Sequence, residues 1–369
     1  MIKLAQRTSR IDSSGIRKVF ALAADLKDPC NLSIGQPDFD IPDPVKEEAI
    51  KAIRDGKNGY TQTVGLSELR DKIHQRYLVR GIDLGDVLIT SGVSGGILLS
   101  FLALLNDGDE IIIPDPYFVM YKHLANFLGA RAVYLDTYPD FQIDPGKLEK
   151  LITPKTRAIL LNTPCNPTGT VYTEETVKSV VAAAEKHGLT IISDEIYEDF
   201  LYEEKLISPA EYYPHTLILS GFSKSTAMTG WRLGYAYGPK EIIAAMINIQ
   251  MYSFVCAPSF AQYAGMAALD VSKEQFCSDY RHKRDLIYEG LQPYFNVVKP
   301  AGAFYIFPEA PNQDGDEFVK EAIANNLLVV PGSVFSERKT HFRISYAADN
   351  STIERGVEIL QRMAKKYGK

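Results

Sequence analysis

A series of short apolar runs, each closing on a polar or glycine-rich turn, constrains this chain more than any other feature. The runs are Val87–Thr90, Glu110–Ile113, Ala158–Leu161, Thr190–Ser193 and Thr216–Leu219. They show little polar–apolar alternation, the mark of strands covered on both faces. Parallel neighbours need crossover connections, and the segments between the runs are long enough to supply helices. The pattern predicts an α/β fold with a mostly parallel sheet flanked by helices. Ligands of such sheets gather at the carboxyl ends of the strands, so the residues following each run are the first candidates for a site.

Past residue 271 the pattern changes. A charged helix over Gln275–Leu291 leads to short strands at Asn296–Val298, Phe304–Phe307 and His341–Ser345, with helices at 317–326 and 351–366. That reads as a smaller α+β domain. A chain of 369 residues suits two domains. The expected division is a large domain over 41–271 and a small one made of 1–40 and 272–369. Asp43 and Pro44 suit the N-cap and first position of a helix ending at Gly56, and Ser351 with Glu354 reads as a capping box. Ser14–Leu26 carries a helical pattern, and Ser91–Gly96 reads as a glycine-rich turn into a helix from Ile97.

Composition excludes several function classes. The formal net charge is −6, with no basic run, which argues against nucleic acid. Cys30, Cys165, Cys256 and Cys277 are scattered without metal-ligand spacing, so reduced thiols and no metal site are expected. The longest apolar run, Ile97–Leu105, contains Ser100 and is too short to span a bilayer. Lys3, Arg7 and Arg10 precede no apolar segment, so no signal peptide is read and the cytoplasm is the expected compartment.

The chemistry concentrates at Ser220-Gly-Phe-Ser-Lys-Ser-Thr-Ala-Met-Thr-Gly-Trp-Arg-Leu-Gly234. Most lysines are solvated surface charges. Lys224 instead has Phe222, Ala227, Met228 and Trp231 around it, and desolvation makes an amine a better nucleophile or base. Ser223 and Arg232 are donors of the kind a phosphate needs. The run Gly221-Phe222-Ser223-Lys224, with Gly230, Arg232 and Gly234 at their present spacing, resembles the pyridoxal-phosphate attachment motif of the class I and II aminotransferases. Elements from Gly35 to Arg343 occur in that family's order, so the resemblance covers nearly the whole chain.

The resemblance implies an aspartate-aminotransferase-like architecture (pyridoxal-phosphate fold type I) and pyridoxal 5'-phosphate held by Lys224 as an imine. The incoming amino acid would displace Lys224 from that imine, and the freed amine would remove the α-proton. Asp194 would pair with the protonated pyridine nitrogen, and Asn166 and Tyr197 would hydrogen-bond the phenolate oxygen. Phe118 would stack on the ring, while Arg232, Ser223 and the backbone at Val93 and Ser94 would hold the phosphate. Ser220 competes with Ser223 for that role. Gly35, Asn166 and Arg343 would bind the substrate, Arg343 taking the α-carboxylate; read alone, Arg343 has a structural ion pair as its lesser alternative. Tyr60, otherwise a packed aromatic, would reach the phosphate of a second subunit, which implies a homodimer with shared sites.

The implied reaction is amino transfer between an amino acid and a 2-oxo acid. A carbon–sulfur β-lyase on the same scaffold would use the same lysine, and a non-catalytic regulator is disfavoured because no DNA-binding domain precedes Asn31. Some relatives meet a substrate's second carboxylate with an arginine ahead of the Pro258 segment, where Met251 stands. Others use a lysine in the glycine-rich turn, where this chain has Ser94. Tyr117, Tyr121, Phe304 and Ile16 are candidates for an apolar or aromatic lining. Neutral or aromatic donors are therefore expected over aspartate.

Overall fold

The computed structural model describes residues 2–11, 26–203 and 205–368. The predicted helix over Ser14–Leu26, including Ile16, lies outside these residues apart from Leu26. Among the described residues there are twelve strands, numbered in chain order. They are β1 (Cys30–Asn31), β2 (Asp86–Ser91), β3 (Glu110–Asp115), β4 (Arg131–Asp136), β5 (Thr156–Asn162) and β6 (Thr190–Asp194). The others are β7 (Thr216–Gly221), β8 (Leu233–Gly238), β9 (Tyr305–Ile306), β10 (Leu327–Leu328), β11 (Val330–Pro331) and β12 (Phe342–Ser345).

The seven-stranded central sheet has the order β2-β8-β7-β6-β5-β3-β4. Only β8 runs against its neighbours, β2 and β7. The strands read from apolar runs are buried along nearly their whole length, which is why they lack alternation. β4 carries no such signal. It is an edge strand with only Leu135 fully buried, so its sequence stays mixed.

The helix following β2 begins at Gly92, five residues before the expected Ile97. Gly95 and Gly96 are helical because the helix lies close to its neighbours. A Cβ on Gly96 would stand 3.2 Å from Leu219 Cδ2, on β7. β9, β11 and β12 form an antiparallel sheet in the second half of the chain. Cys30–Asn31 joins this half, β1 pairing in parallel with β10, whereas Gln6–Arg10 lies against the helix Val119–Leu128, with Arg10 paired to Asp107. Asn296–Val298 forms no strand. The last helix, Asn350–Lys365, is capped by Asp349, which accepts from Thr352 N, and not by Ser351. Thr173 caps Glu174–His187 through Thr176 N. Among the described residues, no helix is long and apolar enough to cross a membrane.

Candidate active site

β5 ends at Asn162, β6 at Asp194 and β7 at Gly221, and the chain beyond these ends converges on a cavity of about 310 Å³. Its wall includes Gly35, Val93, Ser94, Phe118, Asn166, Asp194, Tyr197, Ser223, Lys224, Arg232 and Arg343. Residues from positions far apart in sequence are thus brought to one place.

Lys224 sits in the tight connection between the antiparallel strands β7 and β8. This connection passes through a short 3₁₀ turn at Thr229–Trp231 and through positive φ at Ala227 (56°) and Arg232 (55°). Backbone held in that region by non-glycine residues is a mark of functional turns. Lys224 Nζ donates to Gly35 O at 2.6 Å. Burial, then the charges of Arg343 and Arg232, push its pKa down from 10.5 to about 8, against the pull of Asp194. The amine therefore gives up its proton far closer to neutral pH than an exposed lysine does.

Asp194 is buried at the end of β6. Tyr121 Oη donates to its Oδ2 at 2.6 Å, and Ile196 N reaches Oδ1 at 3.3 Å. No described residue forms a salt bridge with it. Desolvation raises its pKa to about 6, beyond what these donors and Lys224 offset. A buried carboxylate so placed would be stabilised by a cation in the cavity.

Arg343 projects from β12 with 1 % of its surface exposed. Its Nη1 donates to Asn166 Oδ1 at 3.0 Å and its Nη2 to Ser33 O at 2.9 Å. No carboxylate among the described residues pairs with it, and Nε has no partner. The ion-pair alternative for Arg343 therefore lacks its acid. The Asn166 amide, accepting from Arg343 through oxygen, keeps its NH₂ donors free.

An anion cradle faces these groups. The helix opening at Gly92 has no side-chain cap, so the first-turn N–H groups at Val93 and Ser94 lack intrahelical partners. Gly92 starts this helix at φ +67°, and a Cβ there would stand 2.6 Å from Arg232 Nη2. Only glycine lets the guanidinium approach so near. Ser223 and Thr229 line the same cavity. Ser220 does not: its hydroxyl donates to Glu198 Oε1 at 2.8 Å.

Other expected residues fall elsewhere. Tyr60 lies outside the cavity wall, 86 % exposed. Tyr117 stacks on Tyr134 and donates to Glu337, and Phe304 is packed within the core, so neither lines the cavity. Met251 is exposed at the end of the helix Lys240–Met251. Tyr121 does line the cavity, but its hydroxyl is directed at Asp194. Ile34, Ile97, Asn162, Ile196, Thr229 and Tyr305 complete the wall and were not anticipated as lining residues.

The family model "Aminotransferase class I and II" matches residues 27–360. A probable aspartate aminotransferase of Methanocaldococcus jannaschii is 40% identical over 98% of this chain and 99% of its own length. The aromatic-amino-acid aminotransferase 2 of Thermococcus litoralis is 35% identical over 98% of both chains. A solved aspartate aminotransferase of Thermus thermophilus, with maleate, superposes with a TM-score of 0.94 at 35% identity. That match covers 98% of this chain and 100% of the Thermus chain.

Proposed function

Since the chain belongs to the class I and II aminotransferase family and is an aminotransferase, we propose that its cavity holds pyridoxal 5'-phosphate on Lys224. The donor set fits that group. A phosphate matches the free N–H groups at Val93 and Ser94 together with Ser223 and Arg232. A protonated ring nitrogen would supply the cation that Asp194 lacks, and a phenolate oxygen matches the donors of Asn166 and Tyr197. Phe118 offers a flat face at the cavity wall. When bound, the cofactor supplies an electron sink for the bonds at the substrate's α-carbon.

The protein's own residues then divide the work. Arg343 binds and orients the α-carboxylate through a guanidinium already fixed by Asn166 and Ser33, so little ordering remains at binding. The carbonyl of Gly35 holds the Lys224 amine at the cavity wall. Once an incoming amino acid has displaced it, the freed Lys224 amine would be the base for the α-proton, and its lowered pKa suits proton transfer near neutral pH. Asp194 holds positive charge at the buried end of the cavity. The observation that carries this reading is the buried Arg343 without a carboxylate, facing a lysine of lowered pKa across one cavity.

Neutral or aromatic amino acids are the preferred donors, with a 2-oxo acid as acceptor. The cations lining the cavity among the described residues are Lys224, Arg232 and Arg343, and each already has a role. A dicarboxylate's distal charge would lack a partner. The relatives carry both aspartate and aromatic names, so the test is kcat/KM for aspartate against methionine and phenylalanine with one common 2-oxo acid. A clear preference for aspartate would refute this substrate reading.

The working form is a homodimer with large and small domains over 41–271 and over 1–40 with 272–369. Tyr60, Tyr252, Phe254 and Val255 are exposed, and Gln250 Nε2 donates to Thr63 O, so these two segments run side by side. Exposed apolar surface of this kind suits a second subunit.

A further inference from the structure

Tyr305 has no part in the roles given above, yet it touches the groups that perform them. It stands on β9, opposite Ser345 of β12, with 1 % of its surface exposed. Its hydroxyl lies 3.0 Å from that of Tyr197. The Arg343 guanidinium lies over its ring at 4.6 Å, with Phe335 at 4.5 Å as a second aromatic neighbour. A Cβ on Gly35 would stand 2.5 Å from Tyr305 Oη, and one on Gly169 would stand 2.5 Å from Tyr305 O. Both loops approach this tyrosine closely because they carry glycine there. The side chain thus connects the arginine strand with the Gly35 loop and the tyrosine after β6, while the backbone carbonyl of Tyr305 meets the turn after β5.

We infer that Tyr305 is a positioning residue with two separable roles: its hydroxyl orients Tyr197, and its ring seats Arg343. The inference rests on the pyridoxal-phosphate reading. A hydroxyl pair shares one proton between its oxygens. Tyr197 can donate into the cavity only when Tyr305 is the donor within the pair. The Arg343 charge favours that direction: it lies 4.6 Å over the Tyr305 ring and opposes the rise that burial imposes on both phenols, ranking higher among the influences on Tyr305 than among those on Tyr197. The more acidic phenol is the better donor. Accepting from Tyr305 also polarises Tyr197 and strengthens its own donated bond. The ring acts differently. Nη1 and Nη2 of Arg343 are committed to Asn166 and Ser33, and the aromatic contacts restrict the remaining freedom of the guanidinium.

The two roles separate in the cofactor-loaded protein. Tyr305→Phe removes the hydroxyl and keeps the ring; Tyr305→Leu removes both. Tyr197 donating to the cofactor's oxygen anion favours the deprotonated form. Tyr305→Phe should therefore raise the pH midpoint of the bound cofactor's visible absorbance by about 0.5 unit. KM for the amino donor should stay within about 3-fold, because the cation–aromatic contact remains. Tyr305→Leu should show the same midpoint shift and a KM raised roughly 3- to 30-fold, with an equal rise in Kd for an unreactive monocarboxylate. Phe335→Leu should raise KM without moving the midpoint, and it tests the seating of Arg343 even if Tyr305→Leu fails to fold. An unchanged midpoint in Tyr305→Phe overturns the hydroxyl role. A KM in both Tyr305→Leu and Phe335→Leu equal to that of the unaltered protein overturns the ring role. If the unaltered protein, supplied with pyridoxal 5'-phosphate, shows no bound absorbance, the functional reading fails and the inference fails with it.

Discussion

Asp194 makes a prediction about stability that needs no turnover. Its surface is 3 % exposed, and its pKa is raised from 3.8 to about 6, chiefly by desolvation. The folded state holds this proton more tightly than the unfolded chain does. The associated stability is therefore fully present below the unfolded value and is lost as pH rises through about 6. A shift of this size corresponds to about 3 kcal/mol, roughly half of it lost above pH 5. In Asp194→Asn the group no longer titrates. Urea unfolding of cofactor-free protein, at equal protein concentration, should show the variant gaining about 1.5 kcal/mol over the unaltered protein between pH 5 and 7.5. Adding pyridoxal 5'-phosphate should reverse the order, because only Asp194 can pair with a protonated ring nitrogen, and loss of a buried charge partner costs roughly 3–5 kcal/mol. The loaded variant should also lose most amino transfer. A stability difference that stays flat with pH would refute the claim that Asp194 is an acid without its cation.

Arg343→Lys should raise KM for the amino donor roughly 10- to 100-fold, because an ammonium cannot reproduce the planar two-pronged grip on a carboxylate; an unchanged KM would remove Arg343 from substrate binding. If sites are shared between subunits, mixing Tyr60→Ala with Lys224→Ala subunits should restore activity, since one site of the hybrid has Lys224 and the partner's Tyr60 both intact. No recovery in a verified hybrid would count against the shared site.

The sheet was legible in the sequence because its strands are buried on both faces, and such runs announce themselves without any partner. The edge strand β4 was not, since Arg131 and the half-exposed residues after it give no apolar run. The start of the helix at Gly92 was missed for a different reason. Glycines argue locally for a turn, and only the packing of Gly96 against Leu219 explains a helix there. Asp349 caps its helix in place of Ser351, since either residue satisfies the local pattern. Candidates such as Asn166, Asp194 and Lys224 follow strand ends, which sequence reading can find from the runs alone. Tyr305 reaches the same cavity from another layer of the fold, and its place depends on the register of β9 with β12. No spacing in the chain carries that register. Tyr121 had a weak local signal, three residues beyond Phe118 at the start of a helix, but its bond to Asp194 needs the neighbouring strands.

The central claim is that Lys224 carries the cofactor, and borohydride reduction followed by peptide mapping tests it most directly. Protein loaded with pyridoxal 5'-phosphate and reduced should yield one pyridoxyl-labelled peptide, modified at Lys224. Lys224→Ala, still folded by circular dichroism, should yield none. A label on another lysine, or a Lys224→Ala protein labelled as fully as the original, would contradict the account.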